Sequence, residues 1–274
     1  LKKMARVADY IFERLFNEGI KHVFMVTGRG SLFLTDAVAK HQDLTGISVH
    51  HEQAAAYSAV AYSQYNEKLG ACLVSTGCAA TNTITGVLNA WQDGIPCVFI
   101  SGQNTLAETT RFTGIPLRTF GQQEADVIPL VEPITKYATM ITDPNKIAYE
   151  LDKALYLSQH GRKGPVWIDI PLDIQNMRVI PDELDRFMPD DHKEQEITDA
   201  DINFLVNALN ESVRPVILVG NGIRSASAVD EFEKFLDTNP IPVVYSASAP
   251  DTYGTDNDLS IGSVGIMGCS RAGN

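Results

Sequence analysis

The residue in this sequence that is best placed to take part in chemistry is Glu52, which lies in the stretch VHHEQAAAYSAVAYSQ at residues 49–64. A carboxylate at this place could bind a metal ion together with the two preceding histidines, or it could transfer a proton. The H-E-x-x-H zinc motif is excluded, because an alanine stands where the second histidine is required. His50 and His51 are adjacent, so on a strand they would point to opposite faces and could not easily share one ion. The simplest interpretation is an acid in the first turn of a helix, favoured by the helix dipole by less than about 1 kcal/mol.

A second polar stretch, STGCAATN at residues 75–82, follows an apolar run and precedes a helix-like segment. A Ser-Thr-Gly turn at the end of a buried strand presents backbone N–H groups, and Asn82 adds an amide in the first helical turn. These groups together could bind a flat polar ligand. The alternative is a strand-to-helix turn in which Thr81 or Asn82 caps the helix.

Two glycine pairs raise the question of dinucleotide binding, because each lies between an apolar run and a helical pattern. The first is GRG at residues 28–30, but Phe33 replaces the third glycine of that fingerprint. The second is GNG at residues 220–222, where Ser225 is closer to the pattern and the helix N-terminus could hold a nucleotide or flavin phosphate. Because Phe33 breaks the fingerprint, a nicotinamide dehydrogenase is disfavoured. A tight strand-to-helix turn explains the glycines at residues 28–30 equally well.

The elements that must position these residues alternate between short apolar runs and amphipathic segments. A run that is apolar throughout predicts a strand covered on both faces, as in a parallel sheet. The predicted strands are 22–26, 45–50, 70–75, 96–101 and 165–170, and the predicted helices are 6–18, 31–41, 52–66, 80–93 and 145–160. This order predicts an α/β fold with a doubly wound parallel sheet and helices on both faces.

The pattern changes beyond the last of these strands. Residues 176–198 carry prolines and a charge run, which is typical of an interdomain linker. A second α/β pattern follows, with predicted helices at 199–211 and 225–238 and predicted strands at 214–220 and 241–247. Two strands cannot complete a doubly wound sheet. We therefore expect residues 1–175 to form one domain and residues 199–274 to form the first part of an incomplete second α/β unit.

The composition restricts the classes of function. The net charge of −12 disfavours non-specific binding of nucleic acids and of anionic membrane surfaces. No apolar run reaches the roughly 18 residues of a membrane-spanning helix, and the first residues contain no signal-peptide core. The four cysteines form no C-x-x-C pair, so reduced thiols are predicted. These features predict a cytoplasmic protein with neither a nucleic-acid nor a membrane partner.

Several motifs, in the same order along the chain, resemble the thiamine-diphosphate enzymes of the acetolactate synthase group. The family patterns R-H-E-Q-x-A-A and T-S-G-P-G-A-T-N correspond to HHEQAAA at residues 50–56 and STGCAATN at residues 75–82. The patterns A-x-x-D-x-x-P, V-I-T-G-Q, Q-E-x-D and T-K correspond to AWQDGIP, VFISGQ, QEAD and TK. GRKGPVWIDIPLD, RPVILVGNGIR and GCSRAGN complete the series, so the resemblance covers nearly the whole chain.

This resemblance implies a catalytic role for Glu52. In the family, a glutamate hydrogen-bonds the pyrimidine ring of thiamine diphosphate and shuttles a proton there, which activates the cofactor for attack on a 2-keto acid. The candidate cofactor-binding residues are Val26, Thr27, Gly28, Gly77 and Asn82, and the substrate-facing residues are Gln122 and Gln123. Gln122 stands where the family usually has phenylalanine, so a more polar substrate is expected. The family's Pro-Gly is Cys78-Ala79 here, so the turn at the pyrimidine is altered.

The resemblance also implies a metal ion, a further possible cofactor and a partner chain. The family anchors the diphosphate and Mg²⁺ through a G-D-G motif followed by Asn-Asn, and this sequence has no G-D-G, so no metal ligands are expected in it. FAD is a further cofactor that the family allows. The family site lies between two chains, so a homodimer or higher homo-oligomer is expected, and small residues after Glu52 would let the neighbouring subunit approach.

The function that the resemblance implies is that of an acetolactate-synthase-like carboligase. Such an enzyme decarboxylates a pyruvate-like 2-keto acid and transfers the acyl unit to a carbonyl acceptor. We expect this chain to be the amino-terminal part of such an enzyme and to be inactive alone. The alternatives are a simple 2-keto-acid decarboxylase, a sugar-ketone carboligase and, from another class, a non-catalytic nucleotide-binding or assembly module.

Overall fold

The computed structural model describes residues 4–189 and 197–265. The chain divides into two compact units, Leu1–Asp190 and Asp191–Asn274. Each unit has its own parallel sheet.

The first unit alternates strands with helices along most of its length. Its strands are β1 (Ala5–Arg6), β2 (His22–Met25), β3 (Thr45–Ser48), β4 (Gly70–Val74), β5 (Cys97–Gln103), β6 (Tyr137–Met140), β7 (Val166–Pro171) and β8 (Arg178–Val179). Its α-helices are α1 (Val7–Asn17), α2 (Leu32–Lys40), α3 (Glu52–Asn66), α4 (Cys78–Thr81), α5 (Ile84–Asp93), α6 (Thr110–Thr113), α7 (Ile128–Val131), α8 (Ile147–Gln159) and α9 (Leu172–Asn176).

Six of these strands form one parallel sheet in the order β3-β2-β4-β5-β7-β6. The predicted α/β class is confirmed, and the five predicted strands correspond to β2, β3, β4, β5 and β7. The sequence did not predict β6, which lies at an edge of the sheet and has only one buried residue, Met140. An edge strand is covered less completely than a central one, so it lacks the continuous apolar run that marks its neighbours.

Alternate side chains of the central strands enter two separate cores, because successive residues of a strand point to opposite faces. On β5, Val98 and Ile100 join the core that includes α1, α2 and α8, whereas Cys97 and Phe99 join the core that includes α3, α5 and α7. Trp167 of β7 stacks on Phe99 with ring centroids 5.8 Å apart. Helices therefore cover both faces of the sheet, which is why its central strands are apolar throughout.

The chain stays on the first unit beyond β7, in part of the region where the sequence predicted a linker. Strand β8 pairs antiparallel with β1, with Val179 opposite Ala5. Farther along, Arg186 and Arg14 both donate hydrogen bonds to the buried carboxylate of Asp152. This segment, despite its prolines and charged residues, therefore makes specific contacts with the first unit. The predicted domain bounds remain a prediction.

The second unit has fewer elements and a smaller core. It contains α10 (Asp199–Glu211), β9 (Ile217–Val219), α11 (Gly222–Ser225), α12 (Val229–Thr238), β10 (Val243–Tyr245) and β11 (Ser260–Ser263). Its parallel sheet has the order β11-β10-β9. The predicted strands correspond to β9 and β10, while β11 has the sequence SIGS, which is too polar to be predicted as a strand. The GCSRAGN motif at residues 268–274 lies outside the described residues.

Neither a disulfide nor a helix long and apolar enough to cross a membrane is present among the described residues. Cys72 and Cys97 are free and buried, whereas Cys78 is free and exposed. Burial raises the pKa of the Cys97 thiol to about 12, so this group stays protonated and packs in the core as a small side chain.

Candidate active site

The order of the strands creates a crevice at the carboxyl ends of β2 and β4. The chain leaves β2 toward α2 on one face of the sheet, and it leaves the adjacent β4 toward α4 and α5 on the other face. Ligands of open α/β sheets bind at such a switch point, outside the carboxyl ends of the strands. The GRG and STG turns singled out in the sequence both lie here.

A cavity of about 230 Å³ occupies this position. It is lined by Thr27, Gly28, Arg29, Gly30, Glu52, Ser75, Thr76, Ala79, Gln122 and Gln123. The structure thus brings together segments that are far apart in the sequence, and five of the eight predicted site residues line the same cavity. Val26, Gly77 and Asn82, which are not among the lining residues, contact the segments that form its wall.

Glu52 lies in the first turn of α3, where its side chain is half-buried and lines the cavity. His51 is the N-cap of this helix, and its Nδ1 accepts a hydrogen bond from the backbone N–H of Gln53 at 3.1 Å. Asn82 Nδ2 donates to Glu52 Oε2 at 2.9 Å. A carboxylate can accept several hydrogen bonds, so Glu52 retains capacity for an N–H of a ligand.

Gly77 allows the β4 turn to pack directly against the segment that carries Gln122 and Gln123. Its φ of +62° lies in the left-handed region, which favours glycine. A Cβ added at Gly77 would lie 1.6 Å from the carbonyl oxygen of Gln123. Gly77 therefore positions the wall of the cavity.

Replacing Gly77 with alanine is expected to destabilise the first unit by more than the roughly 1 kcal/mol that a positive φ alone costs. The new methyl group has no space beside the Gln123 carbonyl, so the segment must move. Gly114→Ala is the matched control, because Gly114 has a φ of +66° and nothing lies within 4 Å of an added Cβ. Urea unfolding followed by tryptophan fluorescence measures both losses, and equal losses would contradict the close approach at Gly77.

The turn after β2 lies against Ser75. The backbone N–H of Val26 donates to the carbonyl of Leu73 at 3.2 Å, so Val26 supports the turn by continuing the pairing of β2 with β4. Gly28 approaches the Ser75 side chain closely, and the backbone N–H of Gly30 donates to Ser75 Oγ at 3.1 Å. This hydrogen bond joins the two turns on either side of the crevice.

Gln103, to which the sequence assigned no individual role, connects three parts of the site through its buried amide. Its Oε1 accepts a hydrogen bond from Thr76 Oγ1 at 2.5 Å. Its Nε2 donates to the Ala125 carbonyl and to Asp169 Oδ2, both at 3.1 Å. The signal that could have indicated this role is the polar end, SGQN, of an otherwise apolar strand.

Asn104 ties a second pair of segments together beside Gln103. Its Nδ2 donates to the Gln122 carbonyl at 3.1 Å, and its Oδ1 accepts from Arg29 Nη1 at 3.2 Å. Gln122 and Arg29 both line the cavity. The positions of the cavity walls thus depend on polar side chains at the end of β5.

Asp169 is the buried acid behind this network. It is fully buried, and its Oδ1 accepts a hydrogen bond from Ser101 Oγ at 2.5 Å. Trp167 Nε1 donates to the same Ser101 oxygen at 2.9 Å. Removal from water disfavours the charged form and raises the pKa of Asp169 to about 7. Its protonation state therefore changes near neutral pH.

Three of the small residues that follow Glu52 have a different use from the predicted one. Ala55, Ala56 and Ala59 are fully buried within the first unit. Ala56 lies so close to α5 that a Cβ added at Gly86 would be 2.6 Å from the Ala56 Cβ. The interpretation that these alanines admit a neighbouring subunit is wrong for these three positions, because they pack against the same chain.

Metal binding at Glu52 has no support from the local geometry. In the part of the chain that the structure describes, no group of three or more His, Cys, Asp and Glu side chains is arranged to hold a metal ion. His51 instead caps α3.

Two family models match the chain. The N-terminal TPP binding domain of thiamine pyrophosphate enzymes matches residues 5–130, and the central domain of the same enzymes matches residues 202–274. The chain belongs to the thiamine pyrophosphate enzyme family. Thiamine pyrophosphate is another name for thiamine diphosphate, so the resemblance inferred from the motifs is confirmed.

Several curated relatives of this chain are acetolactate synthases. The large subunit of Lactococcus lactis is 30% identical over 273 residues, which are 99% of this chain and 46% of the relative. The chloroplastic enzyme of Arabidopsis thaliana is 30% identical over 95% of this chain and 38% of its own length. The large subunit of Corynebacterium glutamicum is 33% identical over 91% of this chain and 39% of its own length. The chain therefore spans less than half the length of these relatives.

Proposed function

We propose that this chain is the amino-terminal part of a thiamine-diphosphate-dependent enzyme that decarboxylates a pyruvate-like 2-keto acid and transfers the acyl unit to a carbonyl acceptor. The position of Glu52 carries this proposal. Its half-buried carboxylate is bonded to Asn82 and lines the switch-point cavity of a chain that belongs to this family.

The chemistry of the cavity fits the aminopyrimidine ring of the cofactor. Glu52 offers a carboxyl group that can share a proton with a ring nitrogen, and the Ser75 and Thr76 turn offers polar groups beside it. Thiamine diphosphate, when bound, supplies the electron sink that decarboxylation requires. The role of Glu52 is to hold and move a proton at the ring nitrogen, in a crevice where partial burial strengthens the interaction.

The substrate-facing residues of the proposal are Gln122 and Gln123. Both line the cavity, and the Gln122 backbone is held by Asn104. Side-chain amides can donate hydrogen bonds to the carboxylate and carbonyl oxygens of a 2-keto acid. Their polarity is the reason to propose a more polar substrate pocket than the usual phenylalanine would form.

The proposal also includes a diphosphate site and partner chains that are not part of this chain. Other parts of the complete enzyme hold the diphosphate and Mg²⁺, so this chain alone is inactive. A homodimer or higher homo-oligomer is proposed, and the exposed aromatic side chains of Tyr57 and Tyr65 on α3 support a contact with a second chain. A cytoplasmic location completes the proposal, although the Arabidopsis relative is chloroplastic by name.

Product analysis on the complete enzyme tests this function. With pyruvate, thiamine diphosphate and Mg²⁺, we expect CO₂ release coupled to acetolactate formation. Free acetaldehyde as the sole organic product would instead identify a simple decarboxylase, and acyl transfer only to sugar ketones would identify a sugar-ketone carboligase. Absence of turnover, together with absence of cofactor binding in calorimetry, would contradict the proposal and favour the non-catalytic module.

A further inference from the structure

A second cavity, of about 630 Å³, lies in the first unit at the opposite edge of the sheet from Glu52. Lys136 directly precedes β6, and Lys163 lies three residues before β7, so both mark the amino-terminal ends of parallel strands. The cavity is lined by Trp91, Gln92, Lys136, Arg162 and Lys163. Three of these five side chains are cations and none is an acid, although the whole chain carries a net charge of −12.

Backbone carbonyls at the ends of two helices hold two of the cations in place. Lys136 Nζ donates to the carbonyl of His160, the C-cap of α8, at 2.5 Å. Arg162 Nη2 donates to the carbonyl of Gln92, in the last turn of α5, at 3.3 Å. An ammonium has three N–H donors and a guanidinium has five, so each retains donors for a ligand.

The groups around the cavity carry a net positive charge that a bound anion can neutralise. Within the described residues, no carboxylate lies at ion-pair distance from Lys136, Arg162 or Lys163. Two helix C-termini contribute about half a negative charge each, which leaves a net charge of about +2 from the three cations. Burial lowers the pKa of Lys136, which is the expected effect on an ammonium that has left water without an acidic partner.

Trp91 adds a planar aromatic surface to this positive cavity. Its side chain is 39% exposed, and its ring lies near Gly164, where an added Cβ would be 3.9 Å from Trp91 Cε3 and 3.2 Å from Lys136 Cγ. The indole and the lysine stem therefore lie close to the same backbone position. An aromatic ring can stack on an indole face, while the adjacent cations bind phosphate oxygens.

We propose that this cavity binds a nucleotide, with its phosphates on Lys136, Arg162 and Lys163 and its base against Trp91. The surplus of about two positive charges matches the roughly −1.5 to −2 charge of a terminal phosphate group at neutral pH. The volume is within the range of about 300–1,000 Å³ that small-molecule sites usually have. This site is separate from the Glu52 cavity and does not depend on the proposed activity.

A fluorescence titration of this chain with ADP tests the proposal directly. The chain has two tryptophans, and Trp167 is fully buried, so a change caused by ligand contact reports on Trp91. We expect saturable quenching with a Kd below about 1 mM, weakened by added salt because the contacts are ionic. The double variant Arg162→Ala/Lys163→Ala should raise the Kd by about tenfold or more, whereas Lys21→Ala/Lys68→Ala, which removes two exposed lysines outside the cavity, should leave it unchanged.

Two further ligands separate recognition of a nucleotide from attraction of any anion. Pyrophosphate and adenosine should each bind more weakly than ADP, because each makes only part of the contacts. In calorimetry, Trp91→Phe should weaken the binding of ADP more than the binding of pyrophosphate, since only ADP has a ring that can stack on the indole. Equal affinities for pyrophosphate and ADP would overturn the nucleotide assignment. Absence of saturation, or a double variant with unchanged affinity, would overturn the site.

Discussion

Replacing Glu52 with glutamine is expected to slow hydrogen–deuterium exchange at C2 of bound thiamine diphosphate by about 100-fold or more in the complete enzyme. A positioned acid–base group usually contributes about 10²–10⁴-fold to a rate. Glutamine has a similar shape and can still bond Asn82, but it cannot transfer the proton at the ring nitrogen. The cavity wall should therefore survive the change. NMR of acid-quenched samples measures the exchange, and calorimetry measures cofactor binding.

Two comparisons make the result at Glu52 specific. Glu132→Gln removes an exposed carboxylate of the same unit and should leave exchange unchanged. Asn82→Ala removes the amide that holds Glu52 and should lower the exchange rate less than Glu52→Gln, because the acid itself remains. If Glu52→Gln binds the cofactor and exchanges at the normal rate, Glu52 is not the catalytic acid.

Replacing Asp169 with asparagine is expected to remove a pH dependence from the stability of the first unit. Burial raises the pKa of Asp169 in the folded state to about 7, above its ordinary value of 3.8. The folded state thus keeps this proton while the unfolded state loses it, so the free energy of unfolding contributed by this group is fully present below about pH 4 and falls as the pH rises to about 7. The full loss is on the order of 4 kcal/mol.

The neighbours of Asp169 explain why asparagine is the appropriate replacement. Its amide can donate to Ser101 Oγ and accept from Gln103 Nε2, as the protonated acid would. Asp126 raises the pKa of Asp169 and Arg111 lowers it, and this ion pair is unchanged in the variant. The comparison with the unaltered chain therefore isolates the titration of one carboxyl group.

Urea unfolding between about pH 5.5 and about pH 8.5, at pH values above the sequence pI of ≈ 4.9, measures the upper part of this decline, on the order of 2 kcal/mol, which ends near pH 7. Both tryptophans lie in the first unit, so their fluorescence follows the unfolding of that unit. Asp182→Asn, at an exposed position, should retain the decline in stability. The same decline in Asp169→Asn would show that another group carries the proton.

The parallel sheet of the first unit was predictable because its central strands are locally distinctive. A strand covered on both faces must be apolar at every position, as in CVFIS at residues 97–101, and such a run is visible without any partner. The edge strand β6 and the polar strand β11 lack this property, so the sequence did not predict them. The family motifs added Glu52 as a candidate catalytic residue.

The sequence by itself determined the α/β class and membership of the thiamine pyrophosphate enzymes, because both depend on local patterns and on ordered motifs. Only the tertiary structure showed that Gln103 joins Thr76, Ala125 and Asp169 behind the cavity. It also showed that Ala55, Ala56 and Ala59 pack against their own chain. These contacts join residues far apart along the chain, and strand register and burial decide them. The residue type at one position encodes neither strand register nor burial. The raised pKa of Asp169 is a direct consequence of its burial in the folded chain.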